Sequence, residues 1–541
     1  MPNDALLFLL RDNNRANDLF QHRAPRRKDT IPVDTASRAD GDGLPDIRGT
    51  ETGAADVAAG ADSFPQFLAD TVEFLRRPVY GWNAEHPGVF VFPPSPAEYE
   101  DMDKNQAVLR YGYGEAGDSA ESSDNGRGLW TSNLVGLLHF ENAGTGDELM
   151  LSIASRFFSK DGESPVSFDQ DFLLAYLMDR VLHFNLLDLD FASSAGRSDL
   201  WRQLLMLLFP MYLERATAKG VYRQYVRREH NDMRPRGSIN VPRHIAENTP
   251  FRGTIAYSTR EYDEDNPVTE LVRHTVEYIG LHSPILRGNR YVKSAVQEIR
   301  RATDEHYDPS ERRKLIQYNR THPVRHPYYA EYRDLQRLCL LILTRRGFEN
   351  EKREDSVHGI LVDCAWLWEE YLNIVLGEAF SDSLVHPQNK TKVGKHHLFT
   401  NIHSGKLIGE IYPDFLLHDR KERPDTKYPG EYQSSDHRTV VLDAKYKPIG
   451  NVSGRDYLQV VAYMLRFDAT DGVFLHIADD NTETDPTVAD LQVLMRPGFV
   501  VHKIGMPVMP GPDERHDYPK YCEHMKIREQ AFIAKLRRII Q

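Results

Sequence analysis

Toward its C-terminal end the chain reads Ile411-Tyr412-Pro413-Asp414-Phe415-Leu416-Leu417 and then, after a polar connection, Val440-Val441-Leu442-Asp443-Ala444-Lys445-Tyr446. Both are short apolar runs of strand character with a carboxylate at the edge. Two carboxylates on neighbouring strands can converge on a hard divalent cation, which takes oxygen ligands and keeps several waters. Lys445 stands two residues beyond Asp443, so the period-two alternation of a strand puts both side chains on one face. From there an ammonium can hold an attacking water, or a phosphate oxygen on which negative charge builds. These residue types at this spacing are the parts of a Mg²⁺-dependent phosphodiester-cleaving centre with nucleic acid as substrate.

Two more pieces frame this pair. Leu361 to Leu376 carries apolar residues at helical spacing, with Glu369 and Glu370 in its middle. Asp456-Tyr457-Leu458-Gln459-Val460-Val461-Ala462-Tyr463 follows the second run and sets Gln459 and Tyr463 at i and i+4 on one helical face. From the residues alone either glutamate can complete an acidic cluster, and Gln459 and Tyr463 fit a plain helix as well as a site. A single Pro-Asp is a common turn, and a single Asp-x-Lys occurs by chance in long chains. Their joint order is what carries the reading. The connection from His418 to Arg438, with Lys421, Arg423 and Lys427, is long for a hairpin and reads either as a flap that touches DNA or as an insertion.

The 541 residues are too many for one core and predict two to four domains. A net charge of −13 excludes a protein that coats nucleic acid with its whole surface, so any DNA affinity must come from local basic patches or from a partner. Cys339, Cys364 and Cys522 lie far apart without a CxxC pair, which excludes a four-thiolate iron–sulfur cluster and a disulfide framework. The most apolar run, Leu204 to Leu213 with Pro210 inside it, is about half of what a bilayer requires. Asp4 and Arg11-Asp12 bracket Leu6 to Leu10 and argue against a signal peptide. A reduced, cytoplasmic setting without membrane attachment is the expectation.

Along the chain, the Asp-, Gly- and Ala-rich composition of residues 28 to 62 reads as unable to bury enough surface to fold, and 1–62 as a flexible N-terminal extension. Phe64, Phe67, Leu68 and Leu75 predict a short helix. Residues 63–165 read as a small β-rich domain, from runs such as Val89-Phe90-Val91-Phe92 and Leu134-Val135-Gly136-Leu137-Leu138, with a polar, glycine-rich loop over Gly114 to Gly128. Residues 166–345 read as mainly helical, including Phe172 to Leu186, a helix opened by Asn266-Pro267, and Tyr329 to Thr344. Residues 346–541 form the α/β segment with the opening motif. The fold class is therefore multidomain α+β: a small β-rich domain, a helical middle, and a C-terminal α/β domain around a central mixed sheet.

The order of helix glutamate, Asp414, Asp443-Ala444-Lys445 and a Gln-x-x-x-Tyr helix resembles the PD-(D/E)xK (restriction-endonuclease-like) superfamily and its RecB-like branch. That resemblance implies Asp414, Asp443, Glu369 and the backbone carbonyl of Ala444 as metal ligands for Mg²⁺, with Mn²⁺ able to substitute. It implies Lys445 as the catalytic lysine, and Gln459 and Tyr463 as substrate-positioning residues. Three further stretches resemble the McrC family of McrBC-type modification-dependent restriction systems. They are Arg236-Gly237-Ser238-Ile239-Asn240-Val241-Pro242-Arg243, Tyr262-Asp263-Glu264-Asp265-Asn266-Pro267-Val268-Thr269-Glu270-Leu271-Val272, and Leu367-Trp368-Glu369-Glu370-Tyr371-Leu372. The last favours Glu369 over Glu370. In the second, Thr269 or Glu270 stands where the family pattern has asparagine.

By this resemblance the chain is the DNA endonuclease subunit of an anti-phage restriction system. It docks through its N-terminal and central parts on a hexameric McrB-like AAA+ GTPase or ATPase, stimulates that motor, and cleaves DNA when translocation stalls. The chain has no G-x-x-x-x-G-K-S/T loop, so no nucleotide is expected on it. Two other readings remain: a non-catalytic activator or scaffold of the motor, and a stand-alone RecB-like repair nuclease. One basic tract, Tyr222 to Arg243, holds Arg223, Arg227, Arg228, Arg234, Arg236 and Arg243 with Tyr222 and Tyr225 among them. Arginines of this kind can grip phosphates or a partner's acidic surface, or line a solvated helix face with structural ion pairs.

Overall fold

Apolar runs too rich in Val, Ile and Leu to face water on either side become the inner strands of two five-stranded sheets. The computed structural model describes residues 6–12, 64–86, 88–93, 106–112, 128–142, 144–157, 170–183, 187, 197–283, 285–288, 290–305, 307–344, 356–387, 396–418, 438–447, 452–478 and 498–540. The chain forms two compact units, Met1–Val181 with Arg353–Gln541, and Leu182–Lys352.

The first unit opens with β1 (Leu6–Arg11), α1 (Phe64–Leu75), α2 (Trp82–Glu85), β2 (Val89–Phe92), β3 (Leu109–Gly112), β4 (Gly128–Thr131), β5 (Leu134–Glu141), β6 (Glu148–Ala154) and α3 (Phe172–Leu182). The second unit holds α4 (Arg197–Thr217), β7 (Gln224–Asp232), β8 (Ser238–Ile239), α5 (Val241–Asn248), β9 (Ile255–Asp263), α6 (Pro267–His282), α7 (Ile285–Gly288), α8 (Arg290–Ala302), α9 (Arg312–Thr321) and α10 (Ala330–Leu343). The chain then returns to the first unit with β10 (Ser356–Asp363), α11 (Cys364–Phe380), β11 (Leu384–Val385), β12 (His396–Thr400), β13 (Leu407–Ile411), β14 (Phe415–His418), β15 (Thr439–Lys445), α12 (Gly454–Arg466), β16 (Asp471–Ala478), β17 (Val500–Pro507) and α13 (Tyr518–Ile540).

The N-terminal sheet has the order β1-β6-β5-β10-β2. Two corrections to the expected domains follow. Leu6 to Arg11, assigned to a flexible extension, pairs in parallel with β6 from Leu6–Leu149 to Arg11–Ala154. Phe8 and Leu10 are buried there, because an apolar pentad gains more from a sheet edge than the acidic stretch after it can offer. The remainder of that extension, 1–5 and 13–62, lies outside the described residues, as do 113–127 of the glycine-rich loop and the connection 419–437. Second, β10 does not belong to the C-terminal sheet, although it falls inside the expected 346–541 domain. It lies between β5, antiparallel, and β2, parallel, with Ile360, Leu361 and Val362 fully buried. Helix α3, placed with the helical middle by its sequence, likewise falls almost wholly in the first unit.

The close pairing of β5 and β10 needs a residue without a side chain. A Cβ on Gly136 would sit 1.9 Å from the Ile360 carbonyl oxygen, and one on Gly359 would sit 2.1 Å from that of Leu137. One face of this sheet packs Leu138, Phe140, Leu151 and Leu361 against Phe67, Leu75 and Trp82 of α1 and α2.

The second sheet, β11-β14-β15-β16-β17, is mixed: β14 runs antiparallel to β11 and β15, whereas β15, β16 and β17 are parallel. Every position of β16 is buried. Val441 of β15, Leu416 and Phe474 form a core with Val460, Tyr463 and Met464 of α12. Helix α11 packs on β15 and α13 on β17, and Trp368 donates its indole N–H to the Leu475 carbonyl at 3.3 Å.

In the second unit, α4, α6, α8 and α10 share a core that includes Leu208, Phe209, Leu271, Val276, Ile299, Leu335 and Leu338. Asn266 caps α6 by accepting from the Val268 and Thr269 amides, with Pro267 at the first helical position as expected. A three-stranded sheet, β7-β9-β8, lies among these helices. Along β7 half-buried and exposed residues alternate, a pattern blurred in the sequence by the density of arginines. No described helix is long and apolar enough to cross a membrane.

Substituting Gly136→Ala is expected to lower stability by about 1–3 kcal/mol, because the backbone of β10 must move to admit the methyl group. Urea or thermal unfolding checks it; an unchanged midpoint contradicts the close approach.

Candidate active site

The register of the β14–β15 hairpin brings the two motif aspartates together. Phe415 pairs with Leu442, and one step further along the same antiparallel register sets Asp414 across from Asp443. Asp414 accepts a hydrogen bond from the Ala444 backbone N–H at 2.6 Å, so its carboxylate is tied to the strand that carries the other one. Asp443 is fully buried. Lys445, on the same face, places its ammonium 2.7 Å from the Asp443 carboxylate and 3.7 Å from Asp456.

The electrostatics of this group are strained in a definite direction. Burial, then the charge of Asp414, pushes the Asp443 carboxyl up to about 7, against the opposing pull of Lys445. Burial alone would lower the Lys445 ammonium, but Asp443 and Asp414 outweigh it and hold it above its usual range. Neither carboxylate oxygen of Asp443 has a hydrogen-bond partner of good geometry among the described residues; Lys445 is its ion-pair neighbour. Two converging carboxylates with an ammonium beside Asp443 gather anionic oxygen at one point, and that donor set suits a hard divalent ion.

Glu369 reaches the centre indirectly. Its helix is phased by Asp363, which caps α11 by accepting from the Ala365 and Trp366 amides. Glu369 lies 3.8 Å from His386 Nε2, while His386 Nδ1 meets the Asp414 carbonyl at 2.6 Å and its ring stacks on Phe415. Among the described residues no group of three or more His, Cys, Asp or Glu side chains stands close enough together to hold a metal ion. His386 was not anticipated. It sits in Val385-His386-Pro387, outside every recognised motif, and only the fold of β11 beside β14 brings it in.

Gln459 and Tyr463 do meet, with Gln459 Nε2 donating to Tyr463 Oη at 3.0 Å. Tyr463 is buried, and its hydroxyl points to the Tyr412 carbonyl at 3.4 Å, bracing the turn that presents Asp414. Asp456, three residues earlier, was also missed as a site neighbour. It closes a capping box with Ser453 at the start of α12 and pairs with Lys447 at 2.8 Å. Burial would raise its carboxyl, but Lys447 and the Ser453 amide hold it below the ordinary range.

The basic tract belongs to the second unit and runs from β7 through β8 to the first turn of α5, where Arg243 sits. Much of its charge is already paired: Arg223 with Glu264, Arg228 with Asp263 and Asp265, and Arg243 with Glu247 and Glu229. Arg227 donates to Ser258. Arg234 and Arg236 are exposed. Thr269, at the departure from the family pattern, is buried and donates to the Tyr222 carbonyl at 3.3 Å, a structural role.

Fold and site together define a mixed α/β protein with a buried two-aspartate, one-lysine centre on the β14–β15 pair of a mixed sheet. The sequence model of the McrBC 5-methylcytosine restriction system component family matches residues 129–476. The chain belongs to that family, in agreement with the McrC motifs read from its sequence. Among solved structures it is similar to a chain of a refined half-complex from the tetradecameric assembly of Thermococcus gammatolerans McrB AAA+ hexamers with bound McrC. That match has 16% identity and a TM-score of 0.39, covering 77% of this chain and 85% of the other. A chain of the Thermococcus gammatolerans McrBC complex matches with 17% identity and a TM-score of 0.22, over 49% of this chain and 75% of that one. No curated protein matches.

Because the Asp456 carboxyl is depressed in the folded state, its contribution to stability is present above the ordinary carboxylate pKa of about 4 and fades as pH falls below it. Asp456→Asn is therefore expected to be less stable than the parent at neutral pH, with the gap closing in acid. Denaturation midpoints across pH test this, and a gap independent of pH contradicts the ion pair.

Proposed function

We propose that the chain is the Mg²⁺-dependent DNA endonuclease subunit of a McrBC-type restriction system, built on a PD-(D/E)xK nuclease domain. The observation that carries this reading is the buried Asp443 across from Asp414, with the Lys445 ammonium 2.7 Å from its carboxylate. A purely structural aspartate at such a depth would be expected to have its oxygens hydrogen-bonded. The mixed sheet, with α11 and α12 packed on β15, supports the same reading.

Asp414, Asp443 and the Ala444 carbonyl would hold the ion, with Glu369 acting through His386. When bound, the ion supplies Lewis-acid stabilisation of the phosphate and a more acidic water. Lys445 holds the attacking water or a non-bridging phosphate oxygen in line with the scissile bond. Tyr463 and Gln459 keep Asp414 in place through the Tyr412 carbonyl. The partner in this reading is a hexameric AAA+ GTPase or ATPase, as in the McrB hexamers with bound McrC described above. The exposed Arg227, Arg234 and Arg236 are the members of the basic tract that would meet that partner or DNA.

Asp443→Asn and Lys445→Ala are expected each to reduce DNA cleavage by at least about a hundredfold, while stimulation of the partner's nucleotide hydrolysis is kept. Calcium should support DNA binding with little cleavage, its larger and looser shell holding the water less well. Undiminished cleavage by Asp443→Asn rejects the centre and leaves a scaffold for the motor.

A further inference from the structure

The residue after Lys445 is gripped by the other sheet of the same unit. Tyr446 is buried, and its carbonyl accepts a hydrogen bond at 2.9 Å from Arg156, just past the end of β6. The same Arg156 nitrogen reaches Asn133 Oδ1 at 3.2 Å. The Tyr446 hydroxyl meets Ser155 Oγ at 3.0 Å, its ring packs edge-on against Phe157 at 5.0 Å, and the Arg156 guanidinium lies 5.0 Å above that ring. Main chain, hydroxyl and ring of Tyr446 are thus all held by residues 155–157.

That grip is itself anchored. The Arg156 backbone N–H donates to Asp12 at 2.7 Å, and its guanidinium stands 3.6 Å from the other Asp12 oxygen. The Ser155 N–H donates to Asp171, at the start of α3, at 2.7 Å. Asn133 also accepts, through its carbonyl, the N–H of Cys364, the first residue of α11. One buried cluster therefore touches the strand end that carries Lys445 and the helix start that carries Glu369.

We propose that Arg156 and Tyr446 are positioning residues for Lys445: a strut from the N-terminal sheet fixes the end of β15 and so the place of the ammonium beside Asp443. This rests on the nuclease reading for its catalytic consequence, but not for its geometry. A strand end without such a brace frays, and a displacement of about 1 Å at a reacting group can cost a hundredfold in rate. The bland alternative is that Arg156 only neutralises the buried Asp12.

Arg156→Lys separates the two. It keeps the charge near Asp12 but loses the planar fork in which Nε faces Asp12 while a terminal nitrogen reaches the Tyr446 carbonyl and Asn133. With the full chain and its AAA+ partner, the strut predicts a thermal midpoint near the parent's, unchanged DNA affinity in calcium, and a single-turnover cleavage rate at least about tenfold lower. A parental rate in Arg156→Lys overturns the proposal. Should that variant fail to fold, Tyr446→Phe and Ser155→Ala leave every charge in place. Each should slow cleavage, and the double variant should be no slower than the worse single one; additive or absent effects overturn the strut. A crystal structure of Arg156→Lys, or of Tyr446→Phe in its place, reads the same claim without catalysis. Lys445 moved out of ion-pair distance of Asp443 supports it, and an unmoved Lys445 overturns it. If Asp443→Asn cleaves normally, the nuclease reading fails, and this crystallographic readout alone still decides the strut.

Discussion

The architecture of the first unit turns on one unfavourable burial. Asp443 is buried in the middle of a mixed sheet, facing a second carboxylate, with Lys445 as its neighbouring cation. Removing a charge from water costs several kcal/mol, and one ion pair repays it only when the remaining lone pairs are also satisfied. Here they are not, so the fold holds the carboxylate in place by other means. The register of β14 on β15, the Ala444 N–H on Asp414, and the Tyr463 hydroxyl under Tyr412 supply that constraint.

The two sheets of this unit depend on each other for the same reason. Strand β10 completes the N-terminal sheet, and Asp363 at its end caps α11, so the helix bearing Glu369 is launched from that sheet with no linker between. Residues 155–157 then reach the far end of β15. The chain leaves the first unit after α3 and returns before β10, so the second unit interrupts a sheet and does not separate two finished domains. Such an insertion lets the interrupted unit stay rigid while the inserted one carries its own core of α4, α6, α8 and α10.

What could be read from the sequence was local. Pro413-Asp414, Asp443-Ala444-Lys445 and the Gln459–Tyr463 spacing each encode their geometry within a few residues, through strand alternation or one helical turn. The helix start at Asn266-Pro267 was equally legible, since caps are short-range chemistry. The pairing of β10 with β5 and β2 was not, because an apolar octad carries no mark of which distant strand it will join. Nor was His386, whose role depends on a tertiary approach to the Asp414 carbonyl. The arginine tract misled for a different reason: in a strand with charged residues on both faces, alternation of burial leaves no hydrophobic period to detect.

Glu369 shows how the two levels interact. The helix motif favours it over Glu370, and the structure agrees in direction, since Glu369 is the one facing His386. Yet the approach is at 3.8 Å to an imidazole whose other ring nitrogen meets the Asp414 carbonyl at 2.6 Å, so the helix carboxylate and the hairpin aspartate are linked through a single ring that only the tertiary fold brings between them.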